Sequence, residues 1–248
     1  MFARVSLALL MLAAVPAVAL AAEPAGEAVA VSQTASATGS AGARVLTVQG
    51  DVFTGDVVKT DASGVAQILF RDNTKLVVGQ NSQVTVDSFI FQSKTTAKAF
   101  SIDAVRGSFR FITGASAKQA YTIRTPSATI GVRGTEFDLS VNEDGTTNVA
   151  LFGGSVRVCD KGAPNRHCLV LTGTCSTLVL TPDRNFRQVR SYYERTALMN
   201  TVFPFAFRQQ PLRTDFRVES GRCNIPNLDP GPQPSRPATP PRPQAEAG

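Results

Sequence analysis

Short runs of alternating apolar and polar residues recur along the middle of the chain. In VAQILF, Ala66, Ile68 and Phe70 fall on one face of an extended chain, and GSFRFITG alternates Phe109 with Phe111. Because successive side chains of a β-strand point to opposite faces, this pattern is typical of half-buried strands. Turn-rich segments such as RDNT and GQNS separate the runs, so the pattern predicts an all-β architecture. It does not separate a sandwich, a roll, a closed sheet and a solenoid.

The stretch TPSATIGVRGTEFDLSV, residues 125–141, changes its alternation at a glycine. Its apolar residues are even-numbered before Gly134 and odd-numbered after it, namely Ala128, Ile130, Val132, Phe137, Leu139 and Val141. Keeping one face inward across this change requires one extra residue, which a β-bulge with a left-handed glycine supplies. A phosphate-binding loop would instead lead into a helix. We therefore expect a structural corner made of Arg133, Gly134, Thr135, Glu136 and Phe137.

Two charged residues, Arg133 and Glu136, lie three positions apart at this corner. They could form an ion pair that fixes the corner, or Arg133 could project outward to a partner. We favour the ion pair, which would contribute about 1 kcal/mol on an exposed surface.

The two ends of the chain differ from the middle. Residues 1–21 begin with a single arginine, continue as an apolar run and finish in small residues, the pattern of a secretory signal peptide. The alternative is a retained membrane anchor, but the run is short for one, and we expect no membrane segment in the mature chain. Residues 22–43 are mostly Ala, Ser, Gly and Thr, which predicts a flexible leader. The Pro-rich residues 226–248 predict a disordered tail.

The chain is basic, with a formal net charge of +6. A basic balance usually suggests nucleic acid as a partner, but export argues against that contact, and we expect no nucleic acid. Lipid headgroups, anionic cell-wall polymer and acidic protein surfaces remain. The loop KTTAK, residues 94–98, would suit an anionic polymer, although solvated basic loops are common.

All four cysteines lie in the second half of the chain: Cys159, Cys168, Cys175 and Cys223. An even number in an exported protein predicts two disulfides, for which three connectivities are possible. The segment CDKGAPNRHC could place Cys159 opposite Cys168 across a hairpin, which leaves Cys175 for Cys223. The alternative is a metal site that adds His167 to these thiols.

Groups suited to catalysis are few. His167 is the only histidine and is followed by a cysteine, and the chain has no Gly-x-Ser-x-Gly motif. Four carboxylates sit near turn residues, where Asp bonds its own backbone: Asp51, Asp56, Asp61 and Asp72. We therefore predict no enzyme activity, no cofactor and no metal.

The sequence resembles the FecR domain family in two regions. The first carries the family's glycine–aspartate and turn motifs, with Asn73 where glycine is usual: Gly55-Asp56, Thr60-Asp61, Gly64 and Asp72-Asn73-Thr74. The second carries its strongest signature: Thr125-Pro126, Ala128, Arg133-Gly134-Thr135, Phe137 and Gly154. The resemblance covers about residues 44–158. It implies an exported all-β domain, roll-like or solenoid-like, without catalytic residues.

The resemblance also bears on function. In family members that sense iron–siderophore uptake, such a domain lies in the periplasm beyond a membrane helix, and a cytoplasmic part controls a sigma factor. This sequence shows neither the helix nor the cytoplasmic part, so direct sigma-factor regulation is not expected. We expect a stand-alone binding domain, periplasmic or secreted by a Gram-negative bacterium. Its partner would be an envelope protein such as a receptor, a regulator or a secretion component. The alternative is binding of cell-wall or surface polysaccharide.

The expected organisation is a single FecR-like β domain over residues 44–158 and an extension over residues 159–225. The extension is tied by disulfides and contains a short helix, residues 194–201, that Pro204 stops. The signal peptide and leader precede these parts, and the Pro-rich tail follows them.

Overall fold

A computed structural model describes residues 23–40, 42–93, 95–117, 119–162 and 167–225. The predicted signal peptide and Pro-rich tail lie outside the described residues. Within these ranges, fifteen strands form one hydrogen-bonded sheet, followed by one α-helix and two 3-10 turns. The all-β prediction is confirmed, and the sheet is open. The choice between a roll and a solenoid stays a prediction.

The strands in chain order are β1 Gly26–Ser32, β2 Ala35–Gly39, β3 Gly42–Val45, β4 Asp51–Val52, β5 Val57–Thr60, β6 Val65–Phe70, β7 Lys75–Val78, β8 Gln83–Ser93, β9 Thr96–Ile112, β10 Tyr121–Arg124, β11 Ala128–Val141, β12 Thr147–Asp160, β13 Cys168–Thr172, β14 Thr177–Leu180 and β15 Phe186–Val189. Helix α1 is Tyr192–Thr201, and the 3-10 turns are Thr214–Phe216 and Gly221–Asn224. The main path of the sheet runs β15-β14-β12-β11-β10-β9-β7-β6-β1-β4.

The longest strands change partners along their length. The first half of β9 pairs with β8 and β10, and its second half pairs with β7 and β11. Near the change of partner, β9 has Gly107 at φ +103°, β11 has Gly134 at φ +62° and β12 has Gly154 at φ +77°. In each of these strands, the inward-facing residues also switch between even and odd numbers. The three glycines therefore let the sheet bend while one face stays on the core.

The core is a continuous cluster of aliphatic and aromatic side chains on the inner face. Phe100 lies at its centre, with the rings of Phe70, Phe89, Phe111 and Tyr121 at centroid distances of 4.8, 5.4, 5.8 and 5.8 Å. Aromatic rings at such distances contribute beyond the area they bury. The alternating residues that predicted the strands are the ones that are buried here.

The N-terminal segment differs from the flexible leader predicted for residues 22–43. It forms β1, β2 and β3, and β1 pairs antiparallel with β6 while β2 pairs with β5. Ala25, Ala28, Ala35 and Ala37 are buried against the core. Alanine is too small to give a strong apolar period, and pairing with existing strands supplied the order that composition did not indicate.

The C-terminal segment continues the sheet and then covers it. The predicted boundary at residue 158 falls inside β12, and β13, β14 and β15 pair onto that end of the sheet. Met199 of α1 and Phe203 then pack with Phe152 on the outer face of β12. Within the described ranges, no helix combines the length and the apolar character needed to cross a membrane.

Candidate functional site

The corner predicted from the change of alternation is a bulge between β11 and β12. Arg133 pairs with Ser155 and Glu136 with Gly153, so two residues of β11 lie opposite Gly154 alone. Gly134 is in the left-handed conformation that such a bulge needs. Phe137, Leu139 and Val141 then continue inward on the odd-numbered side.

The corner is attached to the end of β9 by backbone hydrogen bonds. The Thr113 N–H donates to the Thr135 carbonyl oxygen at 3.0 Å, and the Thr135 N–H donates to Thr113 Oγ1 at 2.9 Å. Both backbone groups of Thr135 are therefore satisfied. Its side-chain hydroxyl is not, because Thr135 Oγ1 is buried without a hydrogen-bond partner.

A cavity of about 300 Å³, which we call the hollow, lies beside this corner. Ile112, Thr113, Gly134, Thr135, Glu136, Gly153 and Gly154 line it. Gly134 and Gly154 are exposed, so the hollow is on the surface. Gly153 leaves room where a side chain would otherwise stand, and Glu136 supplies the one charged group of the described lining.

The ion pair favoured between Arg133 and Glu136 does not form. No ion pair among the described residues includes either side chain, and Arg133 is exposed. The reason is geometric: Gly134 and Thr135 form the bulge between them, so the two residues do not follow a regular strand. Arg133 is exposed instead, and its contact with a partner, which was the other interpretation, stays a prediction.

The four cysteines form two disulfides. Cys159 joins Cys168 across the β12–β13 ladder, where the two residues are directly opposite. Cys175 joins Cys223 and so ties the last 3-10 turn to the loop before β14. This is the pairing that the hairpin argument favoured. No thiol is left to bind a metal, and the ring of His167 packs edge-on to Phe186 with centroids 4.9 Å apart.

The carboxylates of the family's turn motifs hold the backbone. Asp56 accepts hydrogen bonds from the Phe53 N–H at 2.8 Å and from Arg44. Asp61 accepts from the Ser63 N–H at 3.0 Å, and this bond, with the Thr34 hydroxyl, lowers the pKa of Asp61. Each motif carboxylate therefore has a structural task, which agrees with the use of Asp in turns.

Asp72 is the centre of a buried hydrogen-bond network. It accepts from the Tyr121 hydroxyl at 2.8 Å, from Ser116 Oγ at 2.7 Å and from the Thr74 N–H at 3.0 Å. Burial is the largest effect on Tyr121, and it raises the pKa of that phenol. Asn73, which stands where the family usually has glycine, has φ +65°. Asparagine tolerates this conformation, which explains why the turn survives the change.

A buried ion pair that the sequence did not reveal holds the C-terminal segment on the outer face. Arg110 donates from Nε to Asp138 Oδ1 at 2.7 Å and from a terminal nitrogen to Asp138 Oδ2 at 2.9 Å. It also donates to the Phe205 carbonyl oxygen and to Gln209. Burial raises the pKa of Asp138, and the charge of Arg110 opposes that effect. The only sign of this ion pair in the sequence was a charged residue within each of two strongly apolar strands.

A larger and more polar groove lies beside Gly107, within β9, and near the ends of β7, β11 and α1. Its volume is about 690 Å³, and Asn81, Arg106, Ser140, Asn142 and Glu143 contribute to its walls. Amides, hydroxyls and one charge of each sign give it a polar character without a strong net charge. Among the described residues, no group of three or more His, Cys, Asp or Glu side chains is placed to hold a metal ion.

Comparisons with known proteins agree with the motifs. Residues 56–157 match the family model described as FecR protein, and a search of curated proteins finds no match. Two crystal structures of candidate anti-sigma factors from Parabacteroides distasonis are partly similar. The first is 14% identical with a TM-score of 0.44, over 58% of this chain and 63% of the other. The second is 15% identical with a TM-score of 0.40, over 54% and 59%.

Both structural alignments span less than two thirds of the other protein's chain. The family model, in contrast, begins at Asp56 in the first motif region and ends at Arg157, three residues after the glycine of the second. It therefore covers the turn motifs, the corner and the β11–β12 pair. Residues 56–157 are therefore similar to the FecR family, and this similarity covers less than half of the chain.

Proposed function

We propose that this protein is a non-enzymatic binding protein of the bacterial envelope, whose FecR domain contacts another envelope protein and serves in signal relay. The observation that carries this proposal is the hollow. The family's signature residues Gly134 and Thr135 line it, and Thr135 Oγ1 has no hydrogen-bond partner among the described residues. Buried polar groups normally have partners, so an unsatisfied one in the lining of a surface cavity supports the proposal that this surface contacts another molecule.

The buried charged groups support binding rather than catalysis. Asp56, Asp72 and Asp138 each accept hydrogen bonds from several donors and hold turns or the C-terminal segment. A general acid or base must face the substrate, within hydrogen-bond reach of the atom that gains or loses the proton. These carboxylates face the interior instead, and the one histidine packs on a phenylalanine.

An extracytoplasmic location supports an envelope partner. Disulfides persist in oxidising compartments, and this chain has two that are integral to its fold. We place the protein in the periplasm of a Gram-negative bacterium, or outside the cell. Exposed sheet edges such as β3 offer a second kind of contact, in which an extended partner segment adds a strand.

Binding of cell-wall or surface polysaccharide is the second candidate. The 690 Å³ groove favours it, because its amides and hydroxyls suit the hydroxyl groups of a sugar. The described lining of the groove has no aromatic ring on which a sugar could stack. The protein partner is therefore the better-supported function.

Cross-linking in cells tests both candidates. The full chain with an affinity tag is expressed in its own cells and cross-linked, and mass spectrometry then identifies the captured molecules. We expect repeated capture of one envelope protein, such as a receptor, a regulator or a secretion component. Capture of peptidoglycan fragments alone, together with salt-sensitive sedimentation on purified cell wall, would overturn the proposal in favour of polysaccharide binding.

A further inference from the structure

The hollow arises from the register of four neighbouring strands. Lys75 pairs with Ile112, Ile112 pairs with Glu136, and Glu136 pairs with Gly153. Directly opposite residues point to the same face of a sheet, so these four form one row on the outer face. Gly153 ends the row without a side chain, and space therefore opens beside Glu136. A Cβ added at Gly153 would come no closer than 3.7 Å, to Glu136 Oε2.

Two acceptors in the hollow have no partner within the described chain. Glu136 is partly buried, and neither an ion pair nor a hydrogen bond to its carboxylate occurs among the described residues. Thr135 is 2% exposed, and its Oγ1 is without a hydrogen bond. By contrast, Asp138, which is the next outward-facing residue of β11, forms an ion pair with Arg110. Thr135 Oγ1 is therefore unpaired inside the corner, whereas the Glu136 carboxylate is open to a donor from outside the chain.

We propose that the hollow takes one basic side chain, arginine or lysine, from the protein partner. Both side chains carry hydrogen-bond donors only, which complement the partly exposed Glu136 carboxylate. Ile112 supplies an apolar wall for the aliphatic stem of such a side chain. A volume of about 300 Å³ suits one side chain rather than a larger ligand. This inference rests on the proposed function, since the side chain belongs to the envelope partner.

The charges around the hollow agree with a cationic guest. Glu136 is its only charged lining residue, so an anion would meet a carboxylate at once. Two cations of the chain lie nearby, Lys75 two strands away in the same row and Arg133 at the start of the corner. Neither forms an ion pair with Glu136. The carboxylate is therefore free for a side chain from outside.

Titration with a short peptide tests the chemistry of the hollow. Isotope-labelled protein is titrated with Gly-Arg-Gly, acetylated and amidated at its ends, and the backbone amide shifts are followed by NMR. We expect saturable shifts at Thr135, Gly153 and Gly154, and none with the uncharged citrulline analogue. Glu136→Gln should weaken binding roughly tenfold or more, because a charge-assisted hydrogen bond is lost. Glu219→Gln, at an exposed glutamate of the C-terminal segment, removes the same charge and should leave binding unchanged.

Glycine variants separate the hollow from the rest of the surface. Gly153→Ala places a methyl group in the hollow without a close contact and should weaken peptide binding severalfold. Gly131→Ala, in the first half of β11 where an added Cβ meets nothing within 4 Å, should not. Equal affinity for the arginine and citrulline peptides, equal affinity of Glu136→Gln and the unaltered protein, or no shifts at all would each overturn the inference.

Photo-cross-linking distinguishes this inference from the proposed function. A photoreactive phenylalanine replaces the exposed Arg133, with and without Glu136→Gln, in the full tagged chain. Capture of an envelope protein that is lost with Glu136→Gln supports both conclusions. Capture that persists with Glu136→Gln keeps the protein partner and overturns the role of the hollow. Peptide binding without any captured protein would support a basic-group site and overturn the envelope partner.

Discussion

A side chain at Gly154 would collide with the backbone of Gly134. A Cβ built at residue 154 lies 1.9 Å from the Gly134 carbonyl oxygen, far inside any real contact. Gly154 is also at φ +77°, where residues with a Cβ are strained. Gly154 therefore approaches the backbone of Gly134 closely across the β11–β12 ladder, and the residue at position 154 must lack a Cβ.

We predict that Gly154→Ala strongly destabilises the protein. The added methyl group requires the corner to move, and the alanine must adopt an unfavourable backbone conformation. Together these two effects should lower the free energy of unfolding by about 2–4 kcal/mol. Urea unfolding followed by circular dichroism measures the change. Gly131→Ala is the matched control, because its added Cβ meets nothing within 4 Å, and it should change stability by less than about 1 kcal/mol. Equal stability of the two variants would contradict the close approach.

The inner face of the sheet could be predicted because it depends on a local pattern. Alternation placed Ile68, Phe70, Phe109 and Phe111 in the core, and all are buried. The change of parity around Gly134 predicted a bulge for the same reason. The same change occurs in β9 and β12, where Gly107 and Gly154 have positive φ, and it could have been read there as well.

Other features depend on contacts that no local pattern records. The strands before residue 46 are built from alanine, serine and threonine, and they are ordered by pairing with β5 and β6. Arg110 and Asp138 are 28 residues apart and lie on the outer face, where a charged residue normally indicates solvent. Only the covering segment, with Phe205 and Gln209, makes this face an interior.

The Arg110–Asp138 pair leads to a second prediction. Asp138→Asn keeps the shape of the side chain but leaves the Arg110 guanidinium, which is 0% exposed, without its counter-charge. Breaking a buried pair in this way should lower the free energy of unfolding by about 3–5 kcal/mol. Chemical denaturation at pH 7 measures it. Increased proteolysis within residues 203–220 should accompany the loss, since Arg110 holds this segment through Phe205 and Gln209.

An exposed ion pair provides the control for this variant. Arg187 and Glu194 are in contact, with side chains 50% and 42% exposed. Glu194→Gln should therefore cost no more than about 1 kcal/mol. If Asp138→Asn costs as little as Glu194→Gln, the buried pair does not hold the segment.

A third prediction concerns Arg195, which is buried on α1 without hydrogen bonds from Nε and Nη2. It is 1% exposed, and desolvation lowers its pKa. The ring of Tyr192, 5.9 Å from its guanidinium carbon, is a weak compensation. Arg195→Met keeps the length and the helix propensity but removes the charge, so it should raise the free energy of unfolding by about 1–2 kcal/mol.

Thermal unfolding measures this gain. Arg208→Met removes an arginine with an exposed side chain and should leave the melting temperature nearly unchanged. A lower melting temperature for Arg195→Met would show that the guanidinium makes a stabilising interaction beyond its contact with Tyr192.

The last prediction is a pH dependence carried by Tyr121. Its folded-state pKa is raised above the ordinary value of 10.0, chiefly by burial, so the folded protein keeps the phenol proton at pH values where the unfolded chain loses it. The resulting stability is fully present below about pH 10 and decreases as the pH rises through the folded-state pKa. Tyr121→Phe lacks this titration, and it also removes a hydrogen bond to Asp72, which should cost about 1–3 kcal/mol at pH 7. The difference in unfolding free energy between the two proteins should therefore be constant up to about pH 10 and shrink above it. Tyr193→Phe changes a side chain that is 82% exposed, so its unfolding free energy should follow that of the unaltered protein at every pH. A difference for Tyr121→Phe that stays constant up to about pH 11 would rule out the buried phenol as the cause.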